Sequence, residues 1–263
     1  PGDYNEKDYE LVFNYINNNP GQFIYFFGFQ AVPNRKTDSN NWGPISTDYV
    51  GQNYEYPDGD YALREQIVQR HKSYQIGLLW TLANHPKIPS YIKNYYKKWG
   101  LAKDEFIDNG NWPKQLYIRE GRRMVSDYVM TEGNCLGRIQ VPFPIALAEY
   151  GIDSHIVQRY VDDKGFVKNE GEIYSKVNKP YGIDFRSIIP SKTDCINLLV
   201  PVCLSASHSA YGSIRMEPVF MTLGQSAACA VVKCLELKIS SIQDLSYSVL
   251  RPRLESRNIV VSY

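Results

Sequence analysis

"INLLVPVCLSASHSAYGSIRMEPVFMTLGQSAACAVVKC", residues 196–234, changes texture three times in one run. Ile196 to Val202 is nearly all apolar, as expected of a strand buried on both faces. His208, Tyr211, Gly212 and Arg215 then crowd a short polar stretch that reads as a loop. From Pro218 onward, apolar and small residues cover every helical face, among them Val219, Phe220, Leu223, Ala227, Ala228, Ala230 and Val231. Proline suits the first helical position, where a missing N–H loses nothing. A helix that is apolar all round is a buried one. Gly224, Ser226, Ala227 and Ala228 allow another backbone close, so packing against a sheet is expected. The start of such a helix carries about half a positive charge and N–H groups that need an acceptor. Glu217 is one acceptor, and the anionic or carbonyl edge of a ligand is the other.

Working outward, residues 6–18 read as a helix closed by Asn19-Pro20-Gly21, and Gln22 to Phe29 as a short aromatic strand. Residues 33–60, rich in Asn, Asp, Pro and Gly, read as a long ordered loop, a length usually tied to function. Asp60 caps a helix over 61–84, whose stripe is Leu63, Ile67, Val68, Tyr74, Leu78, Leu79 and Leu82. His85-Pro86 ends it, and a second helix over 90–99 completes a helical hairpin. Strands are expected in 114–132, over 152–161 and over 165–168, the last two around a turn at Asp162 to Gly165. A last helix covers about 242–255, followed by a strand-like "NIVVSY". The fold class is α/β in the broad sense, a mixed α+β chain.

The 263 residues carry a net charge of +1, which removes any general electrostatic case for nucleic acid or an anionic membrane. No apolar run reads as reaching the roughly 18 residues that span a bilayer. Five cysteines form no Cys-x-x-Cys pair, and Cys229 and Cys234 read as buried thiols. The four histidines are scattered, so no metal site is expected. Tyrosine, at 21 residues, suits sugar surfaces as well as half-buried packing. The chain opens at Pro1, so a removed targeting segment or further chain is expected ahead of it. A periplasmic or secreted location is compatible with the first.

"NLLVPVCLSASHSAYGSIRMEPVFMTLGQSAACA" resembles the C-terminal flavin-binding segment of FAD-dependent oxidoreductases. "NNWGPISTDYVG", "GLAKDEFIDNGNWPKQLYIREGRRMVSDYVMT", "DSHIVQRYV" and "YGIDFRSIIP" agree, so the resemblance runs from about Arg35 onward. It is narrowest to a bacterial group also labelled xanthan lyase. It implies a substrate-side region over 1–190 and the C-terminal part of an FAD-binding domain over 191–263. FAD is the implied cofactor, with Gly212, Ser213, Ile214, Arg215, Met216 and Glu217 toward the isoalloxazine. Val202 and Cys203 would lie near the ribityl chain, where many flavoproteins place an Asp that this sequence lacks. None of the 18 glycines lies two residues from another, so the pyrophosphate-seating G-x-G-x-x-G is absent. In the family that motif lies N-terminal to these stretches. The chain is therefore expected to be the C-terminal part of a longer protein, holding FAD poorly or not at all and inactive when alone.

Within that frame His208 is the candidate proton acceptor, with Tyr211 and Arg215 as catalytic or anion-binding groups and Ser213 as a weaker ligand contact. Arg215 reads equally well as an ion pair with Glu217 or another acid. His155, oriented by Asp153, is a substrate candidate or a structural pair, and Asn40, Asn41 and Trp42 are candidates for a sugar site. Arg119, Arg122 and Arg123 beside Glu120 read as a salt-bridged surface. The expected reaction is hydride transfer from an organic substrate, carbohydrate among the options, to flavin. A polysaccharide lyase, or a non-catalytic carbohydrate-binding module, stays open. With the flavin's other cradle absent, the apolar face of the helix from Pro218 onward is expected to seek cover from a rearranged packing or another chain, a homo-oligomer among the options.

Overall fold

The computed structural model describes residues 2–27, 32–43 and 45–263. Its α-helices are α1 (Glu10–Asn18), α2 (Tyr61–Asn84), α3 (Ser90–Tyr96), α4 (Glu132–Cys135), α5 (His208–Ile214), α6 (Glu217–Leu237) and α7 (Tyr247–Glu255). Among the described residues, six short strands form three two-stranded antiparallel sheets. The mixed α+β class expected from the sequence is what the chain adopts. The chain divides into two compact units, one of residues 1–117 and 156–170, the other of 118–155 and 171–263.

The first unit is built on aromatic packing. Asp60 caps α2 by accepting from the Leu63 N–H at 2.8 Å. Pro86 disfavours helical backbone at His85, which is extended at ψ 138°, and α2 stops there. Tyr74, Leu78 and Leu82 of α2 bury against Val12, Phe13 and Ile16 of α1 and Ile92 and Tyr96 of α3. Gly77 is needed because an added Cβ would lie 2.1 Å from the Tyr9 hydroxyl. Neutral hydroxyls satisfy backbone carbonyls inside this core: Tyr9 donates to Tyr74 O (3.0 Å), Tyr74 to Ser46 O (3.1 Å) and Tyr96 to Ile24 O (2.7 Å). Burial pushes all three phenols well above their ordinary range. Strands β3 (Gln158–Val161) and β4 (Val167–Glu170) form the hairpin read around Asp162, whose Oδ1 accepts from Lys164 N and Phe166 N. Arg159 ties it to Ile45 O at 3.2 Å. The expected strand at 22–29 does not form over 22–27, although Ile24, Phe26 and Phe27 are buried; residues 28 and 29 lie outside the described residues.

The second unit has an aliphatic core. Strand β1 (Pro144–Ala148) pairs with β6 (Tyr181–Asp184), and β2 (Ile152–Ser154) pairs with β5 (Ile173–Ser175). Helix α6 packs on β1, with Ser226 Oγ donating to Ile145 O at 2.6 Å, so the expected sheet contact is present.

Six expectations are corrected here. Residues 196–202 form no strand: Ile196 O and Val200 N bond singly to Ile242 N and Ile188 O, and Pro201 brings no N–H for a ladder. Residues 114–132 form no strand beyond one bridge between Met130 and Ala206, and "NIVVSY" is irregular with Ile259 and Val261 buried. The segment read as a loop at 208–214 is helix α5, capped by the Ser207 hydroxyl accepting from Ala210 N at 3.3 Å. Helix α6 is buried on one side only, through Val219, Leu223, Ala227, Ala230 and Cys234, while Met221 is 75% and Leu235 74% exposed. Its 21 residues are long and apolar enough to cross a membrane by length and composition, which the apolar-run estimate missed. Cys135, Cys229 and Cys234 are buried, no cysteine forms a disulfide, and burial pushes the Cys135 thiol up to about 11.

Candidate functional site

The site grows from the packing of α5 on β2. A Cβ on Gly212 would lie 2.9 Å from Asp153 O, so only glycine permits this approach. Ser213 Oγ donates to Tyr150 O and lies 2.7 Å from the Tyr181 hydroxyl. The helix therefore runs back along the strand, with Ser213 near Tyr150 at one end and His208 near Ser154 at the other.

That arrangement gives His208 a partner at each ring nitrogen. Nδ1 lies 2.7 Å from Glu120 Oε2, and Nε2 lies 3.0 Å from Ser154 Oγ. The same Glu120 oxygen accepts from Arg123 Nη1 at 2.7 Å, and Arg123 Nε donates to Ala206 O at 2.9 Å. The Arg123 guanidinium also sits 5.4 Å over the Tyr211 ring. A carboxylate held by a guanidinium only accepts, so Nδ1 carries a proton. In the neutral ring Nε2 is then the acceptor, facing the Ser154 hydroxyl. The His208 side chain is 38% exposed, so the ring is reachable from outside.

A second ion cluster lies on Asp153. Its Oδ2 accepts from Arg215 Nη2 at 2.9 Å and Arg119 Nη2 at 3.2 Å, and the Arg215 side chain is only 6% exposed. Arg119 Nε and Nη1 are buried with no hydrogen-bond partner among the described residues. Buried donors without acceptors are rare, and a ligand acceptor is one explanation. Across both clusters, three guanidiniums (Arg119, Arg123, Arg215) face two carboxylates (Glu120, Asp153).

The residues assigned to FAD divide by what they already hold. Gly212, Ser213 and Ile214 are buried in α5 packing, and Arg215 N and Met216 N donate to Tyr211 O (3.0 Å) and Ile214 O (2.7 Å). Val202 O accepts from the Tyr211 hydroxyl at 3.1 Å and Cys203 O from Met124 N at 2.9 Å, while both side chains are exposed. Met216 and the exposed Glu217 begin α6, which has no side-chain cap. The start of α6 is what these residues leave for one edge of a flavin, and there Val219 N and Phe220 N already donate to Met216 O at 3.0 and 3.1 Å. The residues present include no glycine-paired loop to seat a pyrophosphate.

The other candidates fall in different places. Arg215 pairs with Asp153 rather than Glu217. Tyr211 donates its proton to Val202 O, and burial raises its phenol to about 12. The Asp153 carboxylate is shared by Arg119 and Arg215, and His155 follows Ser154 with its carbonyl 3.3 Å from that hydroxyl. Asn40, Asn41 and Trp42 belong to the first unit, where Asn40 Oδ1 accepts from Asn41 N at 2.8 Å and Trp42 is half exposed. A 490 Å³ depression of that unit is lined by Tyr4, Tyr9, Tyr49 and Tyr74, and those three residues are not in its lining. Among the described residues no group of three His, Cys, Asp or Glu side chains is placed to hold a metal ion.

Glu120 and Ser154 were not legible as partners of His208. Glu120 showed only its ion pair with Arg123, three positions on. Ser154 lies 54 residues and Glu120 88 residues from His208, and no local pattern links them.

No curated protein and no solved structure matches the chain. One family model does, that of FAD dependent oxidoreductase, over residues 1–254. Its match contains the whole Glu120–His208–Ser154 arrangement and the start of α6. The chain belongs to the FAD dependent oxidoreductase family.

Proposed function

We propose that this chain provides the substrate-oxidising face of an FAD-dependent oxidoreductase, with His208 as the proton acceptor. The observation that carries the reading is His208 itself. Its Nδ1 is tied to a carboxylate at 2.7 Å, its ring is accessible, and it lies in the family-matched segment. A general base needs a fixed ring and a basic nitrogen within reach of the proton it takes.

FAD, when bound, supplies the hydride acceptor, and the Met216–Glu217 start of α6 is where this chain would hold its electron-rich edge. The chain's own residues take the proton. His208 accepts it from a substrate hydroxyl, and Glu120 compensates the imidazolium that results. Arg119, with its unmet donors beside Asp153, orients an oxygen-bearing substrate. An organic substrate rich in hydroxyls suits this set, and carbohydrate is the class we favour. His155 is a proposed further contact, and Asn40, Asn41 and Trp42 are proposed as a separate sugar-binding surface of the first unit.

The test has two parts. FAD is titrated into the chain and bound flavin is read by fluorescence quenching. With the weak binding expected here, saturation needs a large excess of FAD. Under those conditions, anaerobic flavin bleaching by a panel of sugars should appear in the wild type and fall at least about 100-fold in H208Q. Bleaching that survives in H208Q, or no interaction with FAD at any concentration, removes the reading. An ultraviolet-absorbing unsaturated sugar formed without flavin would put a lyase in its place.

A further inference from the structure

The reading of His208 as a base leaves open what keeps its ring in one orientation while its charge changes. Resting on that reading, we propose that Glu120 and Ser154 are positioning residues that hold His208 in the same pose before and after it takes a proton.

The hydrogen-bond inventory supports this. Glu120 Oε2 lies 2.7 Å from both Arg123 Nη1 and His208 Nδ1. Arg123 is anchored in turn by Ala206 O and the Tyr211 ring. This carboxylate therefore cannot swing away without breaking a charge-assisted pair. It fixes the tautomer with the proton on Nδ1.

Ser154 serves the other nitrogen. Its Oγ is 3.0 Å from Nε2, 3.2 Å from Gly171 O and 3.3 Å from His155 O. A hydroxyl has one proton to give and lone pairs to receive. Against the neutral ring Ser154 donates to Nε2. The Ser154 hydrogen turns to one of these carbonyls, which frees the single Nε2 lone pair; as the substrate O–H bond breaks, its proton forms a new N–H bond there and its electron pair stays on the substrate oxygen. Oγ then accepts the new N–H. No heavy atom has to move. An apolar residue would leave the imidazolium N–H without an acceptor, and a carbonyl would repel the neutral ring.

The proposal is tested on the chain without flavin, by long-range proton–nitrogen correlation spectra of protein labelled at histidine nitrogens, with H208Q assigning the signal. Wild type should show the neutral ring with its proton on Nδ1 by about tenfold or more. E120Q should reduce that preference to near parity, and E120D should restore part of it. In S154A the Nδ1 proton should stay, while the Nε2 proton of the charged ring exchanges with water and broadens beyond detection; S154T should bring it back. Far-ultraviolet circular dichroism confirms that each variant is folded, and E120D and S154T carry the test if E120Q or S154A is not. A wild-type ring protonated on Nε2, an unchanged ratio in folded E120Q, or an equally sharp Nε2 proton in S154A overturns the proposal. None of these outcomes depends on FAD, so loss of the flavin reading would show separately, in the titration.

Discussion

Tyr9, Tyr74 and Tyr96 of the first unit face the same problem as Arg215, Asp153 and Glu120 of the second: a polar group inside a folded chain. The tyrosines solve it with neutral hydroxyls donated to backbone carbonyls. The second unit uses full charges that answer one another. Neutral hydroxyls stabilise cheaply and suit a scaffold. Buried ion pairs are an inefficient way to gain stability, because desolvation offsets much of the attraction. The charges gathered beside an accessible histidine are therefore in keeping with the role proposed for His208.

Alkaline pH should break the contrast most strongly. The three phenols are held above the ordinary tyrosine value near 10, so the unfolded chain releases their protons first. Below that value their contribution is fully present, and it is lost as pH rises toward the folded-state values. Three such groups should lower the first unit's stability by about 3 kcal/mol between pH 10 and 11, seen as a falling urea midpoint, with phenolate absorbance on unfolding in excess of that from the exposed tyrosines. A urea midpoint that does not fall over that interval would contradict it.

Next is the D153A variant, which leaves the Arg215 guanidinium, 6% exposed, without its counter-ion. Breaking such a pair costs about 2–4 kcal/mol, less than a fully buried one because Asp153 is 28% exposed. Urea unfolding followed by hydrogen exchange should place the loss in the second unit. Y96F should then cost about 1 kcal/mol in the first unit, since the hydroxyl also accepts from Phe26 N at 3.2 Å and two backbone groups lose a partner. R119M is the smallest expected change, within about 1 kcal/mol, because it removes two unmet buried donors along with one ion pair. A loss above about 3 kcal/mol would mean those donors are satisfied and would weaken the case for a ligand acceptor there.

What was legible in the sequence follows the same division. Helix α2 announced itself through Asp60, a regular stripe and Pro86, all local signals. The β3–β4 hairpin did so through Asp162 to Gly165. Helix α5 did not, because His-Ser-Ala-Tyr-Gly-Ser-Ile holds one glycine and two serines in seven residues and is too short to be helical unaided. Its packing on β2 decides its structure. The apolar run 196–202 misled in the opposite sense, since hydrophobicity without a partner strand makes no sheet. His208 was conspicuous among its neighbours, whereas Glu120 and Ser154 are ordinary residues until the fold delivers them.

The β3–β4 hairpin interrupts the second unit, which the chain leaves after His155 and re-enters at Gly171. Yet Ser154 already faces Ile173 across the β2–β5 pair, and its hydroxyl touches Gly171 O at 3.2 Å. The two ends of the excursion are thus neighbours. A two-residue Asn-Gly turn spans such a gap between antiparallel strands. Genetic excision of 156–170 with that turn in its place would shorten the loop that must close before β2 meets β5, and so speed that step of folding. The hairpin is a guest in the reading frame of its host, and the border of each unit is drawn by strand pairing rather than by position along the gene.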